Sequence, residues 1–469
     1  MGKCFREDNI DQALLLPPSL HDWVPEGHLA RFLADVVGQL DLSALYASYE
    51  EKDGRGQAAY SPAMMLRLLL YGYCTGTSSS RQIEAKTYED VAFRYLAGDE
   101  HPDHSTISEF RKRQLQVVGV QFVQILRLCQ EAGLVKLGHV ALDGSKIQAN
   151  ASKHKAMSYE RMKASEEQLQ AEVEALLQRA EAVDAAEDEK FGRGRRGDEL
   201  PAELARRESR LEKIRAAKAA LEAEAKQKAE AEKAAAEAKL AERRQQEAST
   251  GKKVAGREPQ ISDPEVAVPA ARAQRNFTDP DSRIMPDGGH KGSFVQGYNA
   301  QVVVDAQAQV IVAAAVSQAS NDTQQLAPML AQVEQNVGAK PAAASADAGY
   351  WNPAQVEDER VQGIDLYVAT GRQTHRVARE SVADEAPPGH GPMSSRERMQ
   401  HKLKTAAGQN VYRMRKAIVE PVFGQIKERR RFRRFLLRGL AQVRAEWTLI
   451  CLTHNLLKLF RFGTALQTT

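Results

Sequence analysis

Three acidic residues stand in surroundings that suit one shared metal site. Asp143 lies in His139-Val-Ala-Leu-Asp-Gly-Ser145, Asp347 in Ala344-Ser-Ala-Asp-Ala-Gly-Tyr350, and Glu420 in Lys416-Ala-Ile-Val-Glu-Pro-Val-Phe-Gly-Gln-Ile-Lys427. The first two end short apolar runs that read as strands, and the third sits on a helix leading into a basic run. From Val411 to Arg438 there are ten Lys or Arg, among them Arg430, Arg431 and Arg434, against two Glu. Carboxylates converging beside cationic surface are what metal-dependent chemistry on nucleic acid requires. Breaking a phosphodiester needs a nucleophilic water, stabilised charge at phosphorus and an activated leaving oxygen. Two divalent ions about 3.5–4 Å apart supply all three. Mg²⁺ (or Mn²⁺) suits carboxylate oxygens, and cations remove the repulsion that three clustered carboxylates would otherwise feel.

The elements that must position these residues can be read from pattern. Residues 1–135 look all-helical. Ser61-Pro62 is an N-cap followed by Pro at the first helical position, opening an apolar helix. Thr106-Ile-Ser-Glu109 reads as a capping box for a long helix through Phe110, Leu115, Phe122, Ile125 and Leu128. Short helices parted by small polar turns suit a helix-turn-helix-like DNA-binding module, with Arg81, His104, Arg111, Lys112 and Arg113 as candidate contacts. An ordinary helical bundle with exposed charges is the alternative.

Residues 136–157 carry the first strand. Residues 158–290 form an insertion, and Ala, Glu, Lys, Arg and Gln dominate its residues 158–250. Leu204, Leu211, Ile214 and Leu221 follow a coiled-coil seam, and Leu169, Val173, Leu176 and Leu177 give an earlier helix a matching stripe. With Phe191-Gly-Arg-Gly-Arg-Arg-Gly197 as the turn, these predict an antiparallel helical hairpin, followed by a loop-like stretch from 250 to 290. Residues 291–469 return to the main body. They begin with a β-hairpin (294–304 and 310–316), a helix from Asp322, a strand delivering Asp347 and a strand at 364–369. Basic helices run from about Gly408 to the end. The expected fold is α/β: a mixed sheet with flanking helices, interrupted after its first strand.

Composition narrows the class. The 469 residues carry a net charge of only +3, so the distribution of charge says more than its total. Cys4, Cys74, Cys129 and Cys451 show no CxxC spacing, which fits neither a disulfide scaffold nor a zinc site. No stretch reads as a signal peptide or a membrane span, so the expected setting is the cytoplasm, with nucleoid association when active. Other acids have simpler readings: Asp305 in a hairpin turn, Asp322 as a helix cap, Asp365 as an outward strand residue. His104, His139 and His454 lack ligand spacing. Trp351 reads equally as a base-stacking residue or a core residue.

Pro421 cannot donate to the carbonyl of Ala417, which predicts a kink or helix restart at Glu420. Met414, Ile418, Phe423 and Ile426 are expected to pack toward the core, with Lys416, Glu420, Lys427 and Arg431 on the other face.

The order of these elements, with Leu142-Asp-Gly-Ser145, Asp347-Ala-Gly-Tyr350 and Val419-Glu-Pro-Val-Phe-Gly-Gln-Ile-Lys427, resembles the DDE-class transposases of bacterial insertion sequences. Asn276-Phe-Thr-Asp-Pro-Asp-Ser-Arg-Ile-Met285, Gly297-Tyr-Asn-Ala300 and Asp103-His-Ser-Thr-Ile-Ser-Glu-Phe-Arg111 look like the subgroup with a helical insertion. The resemblance implies a ribonuclease H-like core and two metal ions per site, with Asp143 as bridging ligand and Asp347 and Glu420 each completing one shell. It also implies hydrolysis followed by strand transfer, with terminal inverted repeats and target DNA as partners, and a homodimer or higher oligomer at synapsis. The last catalytic helix departs from the family's Y-x2-R-x3-E-x6-K pattern. Glu420 and Lys427 keep their spacing, but Tyr412 and Arg415 lie one residue too far upstream and Lys416 holds the Arg position. Lys416 and Lys427 are therefore the expected phosphate contacts, with the bidentate fork of Arg lost. A DNA-binding protein that no longer cleaves, a metal-dependent nuclease without strand transfer, and a coiled-coil scaffold are the competing readings.

Overall fold

Runs of β-branched and small apolar residues form the strands. Among the described residues these are β1 His139–Gln148, β2 Ala156–Ser158, β3 Gln274–Asn276, β4 Arg283–Pro286, β5 Phe294–Asp305, β6 Ile311–Ser317, β7 Ala343–Ala346 and β8 Asp365–Val368. The structure, a computed structural model, describes residues 19–50, 59–114, 117–191, 202–251, 256, 258, 259, 261, 263–287, 292–371 and 393–467. The chain divides into two compact units, one of Met1–Gln148 with Tyr298–Thr469 and one of Ala149–Gly297.

In the first unit the strands lie in the order β6-β5-β1-β7-β8. β1 and β7 run parallel, with His139 opposite Ala343 and Ala141 opposite Ser345, and β7 runs parallel to β8. β5 and β6 form the expected antiparallel hairpin. Val140, Ala141 and Leu142 are wholly buried, as are Val302, Val303 and Val304. Continuous apolar runs of this kind mark strands covered on both faces. Helices Ala406–Gly424, Leu326–Val337 and Leu440–Gln467 pack on the sheet. Trp447 of the last helix is fully buried, and its indole N–H donates to the Gln301 carbonyl at 3.0 Å.

The N-terminal part is helical, as expected, and belongs to this same unit. Ser61 and Pro62 open helix Pro62–Thr75, although the Ser61 side chain makes no capping bond. The expected capping box at Thr106 is corrected. Helix His104–Gln114 starts three residues earlier than that box would place it, because Asp103 accepts the Ser105 and Thr106 N–H groups at 2.8 and 3.0 Å and the Thr106 hydroxyl at 2.7 Å. An ionised carboxylate is a stronger acceptor for free helix N–H groups than a hydroxyl. A second helix follows at Val118–Glu131; Leu115, expected inside one long helix, lies outside the described residues.

In the second unit, helices Tyr159–Phe191 and Ala202–Thr250 pair antiparallel. Glu166 meets Arg215 and Lys218, Glu172 meets Arg207, and the Tyr159 hydroxyl donates to Glu222 at 2.7 Å. Exposed ion pairs of this type contribute at most about 1 kcal/mol each. The seam of Tyr159, Met162, Leu169, Leu211, Ile214, Ala217 and Leu221 carries the pairing. The side chains of Leu176, Leu177 and Leu204, and the turn after Phe191, lie outside the described residues, as does Cys4. The stretch expected to be loop-like contains β3, paired antiparallel with β2, and β4, paired antiparallel with the start of β5. Among the described residues no helix is long and apolar enough to cross a membrane.

Candidate active site

The β1–β7 register decides where the first two acids stand. Ala141 lies opposite Ser345, so continuing the parallel register by two residues sets Asp143 abreast of Asp347. Asp143 lies in the middle of β1, not at the end of a strand as expected, whereas Asp347 directly follows β7. Asp347 Oδ1 accepts the Gly349 N–H at 2.9 Å, and Asp143 Oδ1 accepts the N–H of Gly144 at 2.8 Å. Burial, then the charge of Asp347, pushes the Asp143 carboxyl up to about 6; Arg415 and the Gly144 N–H oppose the rise, and Asp322 adds to it.

Helix Ala406–Gly424 faces this pair with a residue other than the one expected. Arg415 is buried, and its Nη1 lies 3.7 Å from Asp143 Oδ2, while Lys416 is exposed. Arg415, Ile418, Val419, Val422 and Ile426 form the buried stripe. Met414, expected in the core, is 51% exposed. Glu420, five residues beyond Arg415, turns about 140° from it at 3.6 residues per turn and is exposed.

The helix does not restart at Glu420. It runs through Pro421 to Gly424 and continues as a π-helical turn, Gln425–Arg429. The Ala417 carbonyl, which Pro421 cannot serve, accepts the Gln309 side-chain amide at 3.0 Å from the β5–β6 turn. In the π turn, Lys427 donates to Ser145 Oγ and, at 3.5 Å, to the Lys146 carbonyl.

Asp322 was expected as a helix cap, and this is corrected. Its Oδ1 accepts the Asn299 and Gln301 amides, each at 2.6 Å, and lies 3.9 Å from Lys146 Nζ. Helix Leu326–Val337 begins without a side-chain cap. Asn299 and Gln301 are fully buried, and the Tyr350 hydroxyl donates to Gln301 Oε1. The sequence carried a signal for this: two amides at i and i+2 on an otherwise apolar strand must find buried partners.

The two glycines beside the acids allow the close approach. A Cβ on Gly144 would lie 3.0 Å from Asn299 Oδ1 and Asp322 Oδ1 and closer still to Gln301 Nε2. A Cβ on Gly349 would lie 3.0 Å from Asp347 Oδ1. Asp305 is buried in the hairpin turn and accepts the Leu137 N–H at 2.8 Å, and Asp365 is exposed on β8.

Two family models match this chain. Residues 18–113 match "Transposase domain (DUF772)", and residues 269–456 match "Transposase DDE domain". The chain belongs to the DDE-class transposases of insertion sequences. Neither a curated protein nor a solved structure matches it. Asp322, Asp347, Arg415, Glu420 and Lys427 of the transposase fall within the second match, while Asp143 lies outside both.

Of the cations expected to meet DNA, two face inward. Arg111 is buried, and its Nη1 donates to the Ser78 carbonyl at 2.8 Å. Arg430 is buried, donating to Thr453 Oγ1 at 2.8 Å and the Ile450 carbonyl at 3.2 Å. Both guanidinium groups donate to acceptors inside the protein instead, Arg111 to one carbonyl and Arg430 to a carbonyl and a hydroxyl. His104 Nδ1 lies 2.8 Å from Glu84, and Arg113 pairs with Glu109 at 2.6 Å. Arg81, Lys112 and Arg431 are exposed, and Arg434 bonds Gln148 Oε1 at 3.1 Å from an exposed position. Trp351 is half-buried.

Among the described residues, no group of three or more His, Cys, Asp or Glu stands close enough to hold a metal ion. The transposase brings together Asp143 and Asp347, with Asp322 in their field, but not Glu420. The donor set nevertheless fits a hard divalent cation: carboxylate oxygens, with the Asp143 carboxyl raised first by burial and then by the charge of Asp347.

Proposed function

We propose that the transposase hydrolyses phosphodiester bonds at the ends of its element and then joins a DNA 3′-hydroxyl to target DNA. Asp143, Asp347 and Glu420 are the metal-holding carboxylates in this reading, on a ribonuclease H-like core. Two divalent cations, Mg²⁺ or Mn²⁺, would supply the activated water and the charge stabilisation at phosphorus. The observation that carries the proposal is the register of β1 and β7, which sets two half-buried aspartates abreast with the Arg415 guanidinium against one of them.

Each side chain then has a task. Arg415 restrains Asp143 and limits its protonation. Glu420, on the exposed side of the same helix, is the third metal-holding carboxylate in this reading. Lys427, held beside Ser145, is a contact for the DNA backbone, and Arg431, Arg434 and Lys416 extend that cationic surface. Arg81 and Lys112 serve as backbone contacts of the N-terminal helices, where His104 and Arg113 carry paired charges. Residues 1–135 act as the DNA-binding part, 158–290 as an inserted arm, and the chain works as a homodimer or higher oligomer that pairs two terminal inverted repeats.

Incubating the full chain with Mg²⁺ and duplexes carrying the inverted repeats that flank its gene tests the proposal. Nicking at the repeat ends followed by joining is expected. Absence of both would refute it, and nicking without joining would reduce it to a nuclease.

A further inference from the structure

One cation beside the two aspartates comes from neither the basic run nor the N-terminal helices. Lys146 follows Asp143 by three residues on β1, and its side chain is only 17% exposed. Its ammonium lies 3.9 Å from Asp322 Oδ1 and in the fields of Asp347 and Asp143. Successive strand residues point to opposite faces. Asp143 and Ser145 meet Arg415 and Lys427, whereas Gly144 and Lys146 face Gln301, Asn299 and Asp322. The acidic pair is thus flanked by cations from both faces of β1.

Asp322 is fixed by a network that does not depend on Lys146. Its Oδ1 takes two amide bonds of 2.6 Å from the buried side chains of Asn299 and Gln301. Asn299 also donates to the Ala319 carbonyl at 3.2 Å, and Gln301 also donates to Asn299 Oδ1 at 2.9 Å. The Tyr350 hydroxyl holds Gln301 Oε1, and Trp447 holds the Gln301 carbonyl. A satisfied buried network of this kind has a single geometry. Lysine alone is a flexible stem with a compact charge, and a rigid carboxylate beside it fixes where that charge sits.

We propose that Lys146 contacts a phosphate oxygen in the DNA-cleaving site, and that Asp322 is the positioning residue that aims it rather than a metal ligand. The inference rests on the reading of Asp143 and Asp347 as the metal-holding pair. Arg415 cannot take this part, because its guanidinium is buried beneath Asp143. Lys427 works from the other face, hydrogen-bonded to Ser145. With the charges of Asp143 and Asp347 balanced by cations, Asp322 alone still holds Lys146, and a non-bridging phosphate oxygen becomes the strongest acceptor within its reach.

The test uses the full chain and a labelled duplex carrying the flanking inverted repeat. Single-turnover nicking is measured with Mn²⁺, Mn²⁺ affinity is measured by calorimetry without DNA, and folding is followed by circular dichroism. Lys146→Met and Lys146→Gln should nick at least tenfold more slowly while binding Mn²⁺ as tightly as the native chain or tighter. Lys146→Arg should recover part of the rate. Asp322→Asn should slow nicking without weakening Mn²⁺ binding, and adding it to Lys146→Met should cause no further loss. Folded Lys146→Met or Lys146→Gln chains that nick at the native rate would overturn the phosphate role. Loss of Mn²⁺ binding in Asp322→Asn would overturn the positioning role. Failure of the native chain itself to nick would remove the underlying reading instead.

Discussion

Replacing Gly144 by Ala strikes the point where β1 meets the buried amide network. The new methyl would overlap Gln301 Nε2 and press Asn299 Oδ1 and Asp322 Oδ1 at 3.0 Å. Gln301 is not a flexible surface tip that can swing away. It is fully buried, and its amide donates to Asp322 at 2.6 Å and to Asn299 at 2.9 Å. Displacing it forfeits a bond to a charged acceptor, about 1.5–3 kcal/mol, and a neutral bond of about 1 kcal/mol. If β1 moves instead, overpacking costs about 1–3 kcal/mol. The chain takes the cheaper route, so Gly144→Ala should destabilise the unit containing β1 by about 1–3 kcal/mol, measured by urea unfolding followed through near-ultraviolet dichroism. In a Gln301→Ala background the overlap with Gln301 is gone and only the 3.0 Å contacts to Asn299 and Asp322 remain, so the same substitution should cost less than it does in the native chain. A Gly144→Ala chain within about 0.5 kcal/mol of the native one would refute the packing argument.

Further expectations follow from other contacts. Arg430→Met should lower the unfolding midpoint by breaking the bonds to Thr453 and Ile450, whereas Arg431→Ala should leave stability unchanged and reduce the salt dependence of DNA binding by about one ion, read from affinity against salt concentration. Gln309→Ala should cost at most about 1 kcal/mol, because it removes the amide bond to the exposed Ala417 carbonyl and the Lys458 contact; it should cost less in a Pro421→Ala background, where a backbone N–H serves that carbonyl, and equal costs in both backgrounds would contradict that account. His454 is buried neutral, its pKa lowered from 6.5 to about 3 chiefly by burial, with Arg430 adding to the shift. The unfolded chain binds that proton first, so the contribution is intact above about pH 6.5 and is lost as pH falls toward 3. His454→Gln should remove this part of the acid destabilisation, measured by unfolding at pH 7 and pH 4.

Much of the fold was legible because its signals are local. The strand runs around Asp143 and Asp347, the 294–316 hairpin and the Leu211, Ile214 and Leu221 seam each follow from a short pattern of burial. On helix Ala406–Gly424 and the turn after it, Ile418, Phe423 and Ile426 pack inward and Lys416, Glu420 and Arg431 lie outward as expected, but Met414 is exposed and Arg415, not Lys416, faces Asp143. Ile418, Val419, Val422 and Ile426 place Arg415 inward and Lys416 outward, and that phase was present in the sequence. The capping box at Thr106 failed because Asp103 competes more strongly for the same N–H groups. Other misses depend on partners distant in the sequence. Whether Arg111 or Arg430 reaches DNA depends on carbonyls supplied by distant segments, Ser78 and Ile450. Asp322 reads as a cap until β5 brings Asn299 and Gln301 against it.

The account stands on Asp143 and Asp347 forming one metal-holding pair, and Mn²⁺ binding to the full chain measures that directly. Calorimetry should show Asp143→Asn and Asp347→Asn each weakening Mn²⁺ at least tenfold, with circular dichroism and DNA binding unchanged. Native Mn²⁺ affinity in either folded variant would contradict it.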